Sequence, residues 1–124
     1  MKSIIMIEDN KHILIANAEY FRLCDYEVFE ASSLEEARSE LSQHVPDLII
    51  LDNQLPDGCG LDFCKELRRA SDIPVIMISA EGGITCETDA LKQGVNVYLR
   101  KPYAMEELLY HVERLTSTCP AMTL

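Results

Sequence analysis

Five polar residues stand directly after apolar runs: Glu8 and Asp9 after SIIMI, Asp52 after LIIL, Ser79 after VIMI, and Lys101 after NVYLR. If the fold gathers them, three carboxylates meet at one place, where like charges raise one another's pKa or require a cation. A hard divalent ion, Mg2+ or in its place Mn2+, resolves the conflict. Such an ion takes oxygen ligands and commonly keeps waters and a substrate phosphate, so one or two carboxylates and a loop carbonyl suffice. Asp9 and Asp52 are read as direct ligands, and Glu8 as a direct or water-mediated one. Lys101 adds a mobile ammonium and Ser79 a hydroxyl donor, two devices that stabilise the oxygens of a transferring phosphoryl group. In that company Asp52 is a candidate nucleophile. Taken singly, each residue has a plainer role: Asp52 as a strand-end acid closing an Asx turn, and Glu8, Asp9 or Asn10 as helix caps.

The flanking sequence predicts the elements that would gather them. SIIMI at 3–7, LIIL at 48–51 and VIMI at 75–78 are unbroken runs without alternation, as expected of strands covered on both faces. YEVFEA at 26–31 and NVYLR at 96–100 are weaker strands. Between them the period changes to that of helices: 11–24; a segment in which Leu34, Ala37 and Leu41 share one face, with Ser32 or Ser33 as cap; 60–70 with Leu61, Cys64 and Leu67 inward; 85–93; and 104–117 with Met105, Leu108, Leu109, Val112 and Leu115 as its stripe. The segment 85–93 offers only Ala90, Leu91 and Cys86 for apolar contact, with Gly94 as its cap, and is expected to be the least anchored. Five strands alternating with five helices predict a doubly wound α/β domain with a parallel sheet, in which ligands bind beyond the carboxyl ends of the strands.

Composition removes several function classes. The chain has 124 residues, 48% of them hydrophobic, enough for one domain with its own core. Its 21 acidic against 11 basic residues leave a net charge of -10, which repels nucleic acid and anionic membrane. Neither a signal-peptide core nor an apolar run of membrane-spanning length occurs, which predicts a cytoplasmic location. Five cysteines without a CxxC pair are read as reduced, buried or half-buried small apolar residues.

The four motifs IEDN, LDNQLPDGCG, ISAE and LRKP together resemble the receiver domain of bacterial two-component response regulators, over residues 3–117. The family pattern is an acidic pair after the first strand, an acceptor aspartate in D-x-x-L-P-x-x-x-G, a Ser/Thr-Ala step and a Lys-Pro step. The resemblance implies a flavodoxin-like, three-layer α/β/α fold with strand order 2-1-3-4-5. It implies that Asp52 accepts phosphate from a sensor histidine kinase, and that Glu8 and Asp9 hold magnesium with Asp52 and the Gln54 carbonyl. Ser79 and Lys101 would contact the phosphoryl group, Tyr98 would be the switch aromatic, and the Lys101–Pro102 bond would be cis. Gln54 and Glu81 hold positions that influence the lifetime of the acyl phosphate. Such a domain is not an enzyme acting on a separate substrate; it catalyses only its own phosphorylation and dephosphorylation. Phosphorylation would draw Ser79 toward the new oxygens, with Gly82 and Gly83 lending the loop freedom. Tyr98 would then turn inward and the 85–117 surface would change for an effector domain or downstream protein, the resemblance implying control of transcription as the output.

One departure bears on partners. Many members carry two acids before the fifth-strand tyrosine, whereas this chain has Val95-Asn96-Val97-Tyr98, so a phosphorylation-linked homodimer stays open beside a monomer or another symmetry. The alternative function is a receiver-like interaction module working without phosphate, which usually lacks the acceptor or the lysine; both are kept here. An aspartate-nucleophile phosphatase would need an acid where Gln54 stands. A flavodoxin-like electron carrier would need a phosphate loop where IEDNKH is acidic. Residues 1–117 are read as the receiver unit and 118–124 as a tail or the start of a linker to an effector domain.

Overall fold

The computed structural model describes residues 1–80 and 84–117, apart from the side chains of 84–86. Glu81, Gly82, Gly83, the Cys86 side chain, Cys119 and the 118–124 tail lie outside the described residues. Five strands, β1 (Ser3–Ile7), β2 (Glu27–Ala31), β3 (Leu48–Asp52), β4 (Val75–Ser79) and β5 (Val97–Arg100), form one parallel sheet in the order β2-β1-β3-β4-β5. The connecting helices are α1 (Lys11–Leu23), α2 (Leu34–Gln43), α3 (Gly60–Arg68), α4 (Ile84–Lys92) and α5 (Met105–Thr116).

Alternation along each strand splits the core into two layers, because successive side chains leave opposite faces of the sheet. Ile4, Met6, Leu48, Ile50, Ile76 and Ile78 pack with Leu14, Ala18 and Phe21 of α1 and Leu108 and Val112 of α5. Ile5, Ile7, Ile49, Leu51, Val75 and Met77 pack with Leu34 and Ala37 of α2, Phe63 and Cys64 of α3, and Ala90 of α4. Every residue of β1, β3 and β4 is buried, which explains their unbroken apolar sequences. Each fully buried Ile, Leu or Phe contributes roughly 1.5–3 kcal/mol relative to exposure, so these three strands anchor the fold.

The helix ends follow local chemistry. Asn10, rather than Asp9, caps α1: its Oδ1 accepts from the His12 and Ile13 amides at 3.0 and 3.2 Å. Ser33 caps α2 through the Glu36 amide at 3.1 Å, while the Glu36 carboxylate reaches back to the Ser32 amide at 2.8 Å. Gly94, at φ +100°, follows α4.

On α3, Cys64 is buried and Leu61 and Leu67 pack half-buried against the same core layer, as expected, and Phe63 joins them as a buried residue. Two expectations need correction. Leu91 is 46% exposed and does not anchor α4; Ala90 does. Cys59 is exposed in a short antiparallel hairpin (Gln54–Leu55 with Gly58–Cys59) that the sequence reading lacked, whereas Cys24 is half-buried and Cys64 buried.

Candidate functional site

The register of the sheet brings the polar residues together. Ile7 of β1 pairs with Leu51 of β3, so Glu8 comes level with Asp52. Asp52 pairs with Ile78, and Ser79 pairs with Arg100, which precedes Lys101. Backbone bonds extend this alignment past the strands: the Glu8 amide donates to the Ala31 carbonyl at 3.0 Å, and the Lys101 amide to the Ser79 carbonyl at 2.9 Å. By strand alternation Glu8 and Asp52 continue the series that faces α1 and α5. Ser79 continues the opposite series, on the face where Tyr98 packs half-buried against the second core layer.

Carboxylate oxygens of Glu8, Asp9 and Asp52 all lie within 4.8 Å of one another. Glu8 and Asp52 are 8% and 6% exposed, and Asp9 is at the surface. Lys101 Nζ donates to Asp52 Oδ2 at 2.8 Å and stands 3.8 Å from Glu8 Oε1. Burial pushes the Glu8 carboxyl up to about 7; the Asp52 charge and a hydrogen bond with Asp9 add to this, against the Asn10 amide and Lys101. Burial pulls the Lys101 ammonium down, but its bond to Asp52 and the charges of Asp52 and Glu8 outweigh this and hold it above the ordinary lysine range. One ammonium against three carboxylates leaves an excess of negative charge with an all-oxygen donor set, the chemistry that suits a hard divalent cation.

The acceptor candidate is held on both sides. Asp52 Oδ1 accepts from the Gln54 amide at 3.0 Å, so its Asx-turn role and its place in the cluster coexist. Gln54 is an exposed residue. Asn53, not singled out from sequence, closes the loop: its carbonyl accepts from Gly60 N at 2.7 Å and its Oδ1 from Leu61 N at 3.2 Å. Gly60 permits this approach, since a Cβ there would lie 2.7 Å from the Asp52 carbonyl oxygen. The only sequence signal for this contact is the last glycine of the D-x-x-L-P-x-x-x-G run.

Beneath the acids, Tyr103 Oη accepts from Asn17 Nδ2 at 3.1 Å, tying α1 to the segment after β5. Both residues border a narrow cavity of about 10 Å³ that Glu8 and Asp52 also line. Sequence reasoning missed this pair, because 86 residues separate its members. Ser79 is 1% exposed, the Lys101–Pro102 bond is cis, and Glu81 lies outside the described residues. No described helix is long and apolar enough to cross a membrane.

Comparison with known proteins adds a further constraint. A family model described as the response regulator receiver domain matches residues 4–113. The KDP operon transcriptional regulatory protein KdpE of Escherichia coli K12 is 37% identical over 108 residues, covering 87% of this chain and 48% of that protein. The phosphate regulon transcriptional regulatory protein PhoB of the same organism is 32% identical, over 90% and 50% of the two chains. The chain thus spans about half the length of these curated relatives. Among solved structures, the Francisella response regulator 1452 receiver domain superposes with a TM-score of 0.90 at 26% identity, covering 94% and 97% of the two chains. The non-phosphorylated HemR receiver domain of Leptospira biflexa gives 0.87 at 26% identity, covering 96% and 97%.

Proposed function

The chain belongs to the response regulator receiver domain family, and from that premise we propose that Asp52 accepts a phosphoryl group from the phosphohistidine of a sensor kinase or from a small phosphodonor. The observation that carries this reading is the contact of Asp52 with Lys101 at 2.8 Å inside a cluster of three carboxylates. An Asp52 carboxylate oxygen attacks phosphorus, forming the acyl phosphate P–O bond as the P–N bond of phosphohistidine, or the P–O bond of a small donor, breaks. The bond pair leaves with the donor. The Lys101 ammonium now neutralises the carboxylate and is already beside the position where the phosphoryl oxygens arrive. A divalent ion, Mg2+ with Mn2+ as substitute, supplies neutralisation of phosphoryl charge when bound; Glu8, Asp9, Asp52 and the Gln54 carbonyl would hold it.

Dephosphorylation returns the site by attack of water on phosphorus, which breaks the P–O bond to Asp52, restores its carboxylate and releases inorganic phosphate, and Gln54 and Glu81 are the residues assigned to set its rate. The domain acts on no separate substrate. Ser79 follows the new phosphoryl oxygens and Tyr98, on the same face of the sheet, follows Ser79, which alters the 85–117 surface. The partners are a sensor histidine kinase and an effector domain or downstream protein, controlling transcription as the names of the curated relatives suggest. Residues 1–117 form the receiver unit, cytoplasmic and without direct contact to nucleic acid.

The test is incubation with acetyl phosphate, with and without Mg2+, followed by intact mass. Addition of one phosphoryl group that requires both Mg2+ and Asp52, and is lost in Asp52→Ala, is the expected outcome. Label that persists in Asp52→Ala would sink the assignment.

A further inference from the structure

We propose that Asp57 is a positioning residue for the divalent-ion side of this site, acting through the hairpin that carries Gln54; the inference rests on the metal reading of Asp52 and Gln54 given above. Asp57 stands at the turn of the hairpin, between Gln54–Leu55 and Gly58–Cys59. It is not a member of the Glu8–Asp9–Asp52 cluster. Its two oxygens reach instead across to α2: Oδ1 accepts from the Leu34 amide and Oδ2 from the Glu35 amide, each at 2.9 Å.

Those two amides belong to the first turn of a helix, whose leading N–H groups have no partner within the helix. The helix's own Ser33 serves the next two donors, the Glu36 amide through its side chain and the Ala37 amide through its carbonyl at 3.0 Å. Asp57 therefore completes the cap of α2 from another part of the chain, with its charge at the end of the helix that favours an anion. A second contact strengthens the same docking. Gly58, at φ +154°, packs so closely on α2 that a Cβ there would lie 2.8 Å from Leu34 Cδ1.

The hairpin is thus fixed at both ends. Its tip is bound to α2 by Asp57 and Gly58, and its base to α3 by Asn53 through Gly60 and Leu61. Gln54 lies between these anchors, with its amide on Asp52 Oδ1. Releasing the tip leaves Gln54 held by its amide bond to Asp52, its pairing with Cys59 and the Asn53 anchor alone, which loosens the placement of its carbonyl beside the carboxylates. Groups that orient metal ligands without touching the metal commonly carry a large share of the affinity.

The experiment is Mg2+ titration by calorimetry on the whole chain, paired with thermal unfolding, for the wild type, Asp57→Ala, Asp57→Asn and Ser33→Ala. Asp57→Ala should weaken Mg2+ binding by about tenfold. Asp57→Asn, which keeps one acceptor oxygen, should lie between. Ser33→Ala removes a cap from the same helix without touching the hairpin; it should lower the Tm yet leave Mg2+ affinity within about twofold of wild type. Equal Mg2+ affinity in Asp57→Ala and wild type, or an equal loss in Ser33→Ala, would overturn the proposal, as would a wild type that binds no Mg2+. A wild type that binds Mg2+ but takes no label from acetyl phosphate would instead remove the acceptor reading of Asp52 and leave the role of Asp57 to stand on the titration.

Discussion

Asp52 and Lys101, 49 residues apart in the chain, are joined by a 2.8 Å hydrogen bond from Nζ to Oδ2. In the acceptor role proposed for Asp52, this ammonium would neutralise the carboxylate first and the phosphoryl oxygens afterwards. Charge stabilisation arranged in advance acts where charge develops and costs no reorganisation during the reaction.

Lys101→Met should therefore slow phosphorylation by acetyl phosphate on the order of 10²-fold, the usual loss when one preorganised donor is removed. Mg2+ affinity should hold or rise, because a competing cation has left the acids. Initial rates at saturating Mg2+, with calorimetry alongside, check both halves.

The Glu8 carboxyl, raised from an ordinary 4.5 to about 7 chiefly by burial, gives a pH signature. Between these values the folded protein holds a proton that the unfolded chain has released, so metal-free stability must fall as pH rises. The loss should be roughly 1–3 kcal/mol across pH 5 to 8. Glu36, Asp57 and Glu66, whose carboxyls are lowered by hydrogen bonds to Ser32, to the Leu34 and Glu35 amides and to Arg38, titrate below this window. Urea unfolding at pH 5.5 and 8 reads the slope; Glu8→Gln should flatten it, and a slope unchanged in that variant would discount Glu8 as its source.

Gly60→Ala places a methyl group 2.7 Å from the Asp52 carbonyl oxygen and 3.0 Å from Asn53 Cα, both backbone atoms that cannot swing aside. Overpacking of this kind costs about 1–3 kcal/mol. Because the displaced backbone is that of the proposed acceptor, the phosphorylation rate measured well below the Tm should fall as well, whereas a purely global destabilisation would leave it intact.

Arg68 links three segments: its guanidinium donates to the Gly94 carbonyl at 3.0 Å, the Ser71 carbonyl at 3.2 Å and Asn96 Oδ1 at 3.1 Å. Asn96 Oδ1 also accepts from the Val75 amide at 2.9 Å. Arg68→Ala and Asn96→Ala should each destabilise by about 1–3 kcal/mol, with the double variant less than additive because the two share one network. Denaturant midpoints check the cycle. The same bonds give Asn96, which stands where many family members carry an acid, an intramolecular role.

The strands β1, β3 and β4 were legible from sequence because burial on both faces demands unbroken apolar runs, and no competing element of that length does so. The positions of Glu8, Asp9, Asp52, Ser79 and Lys101 were legible for a related reason: a polar residue at the end of such a run marks where the strand leaves the core. Helix faces were less secure. Phe63 shares the inward side of α3 with Leu61, Cys64 and Leu67 although it was not named for it, since periodicity does not choose among adjacent apolar positions.

What the sequence by itself determined is the kind of chemistry and the end of the sheet where it sits, because residue types and strand exits are local properties of the chain. Tertiary structure alone decided the distances: Lys101 on Asp52, Tyr103 on Asn17, Arg68 on Asn96 and Asp57 on α2. Each of these contacts joins residues from separate elements, and their separation is set by sheet register and by the packing of helices on its two faces. No window of sequence contains both partners, so only the folded chain brings each donor to its acceptor.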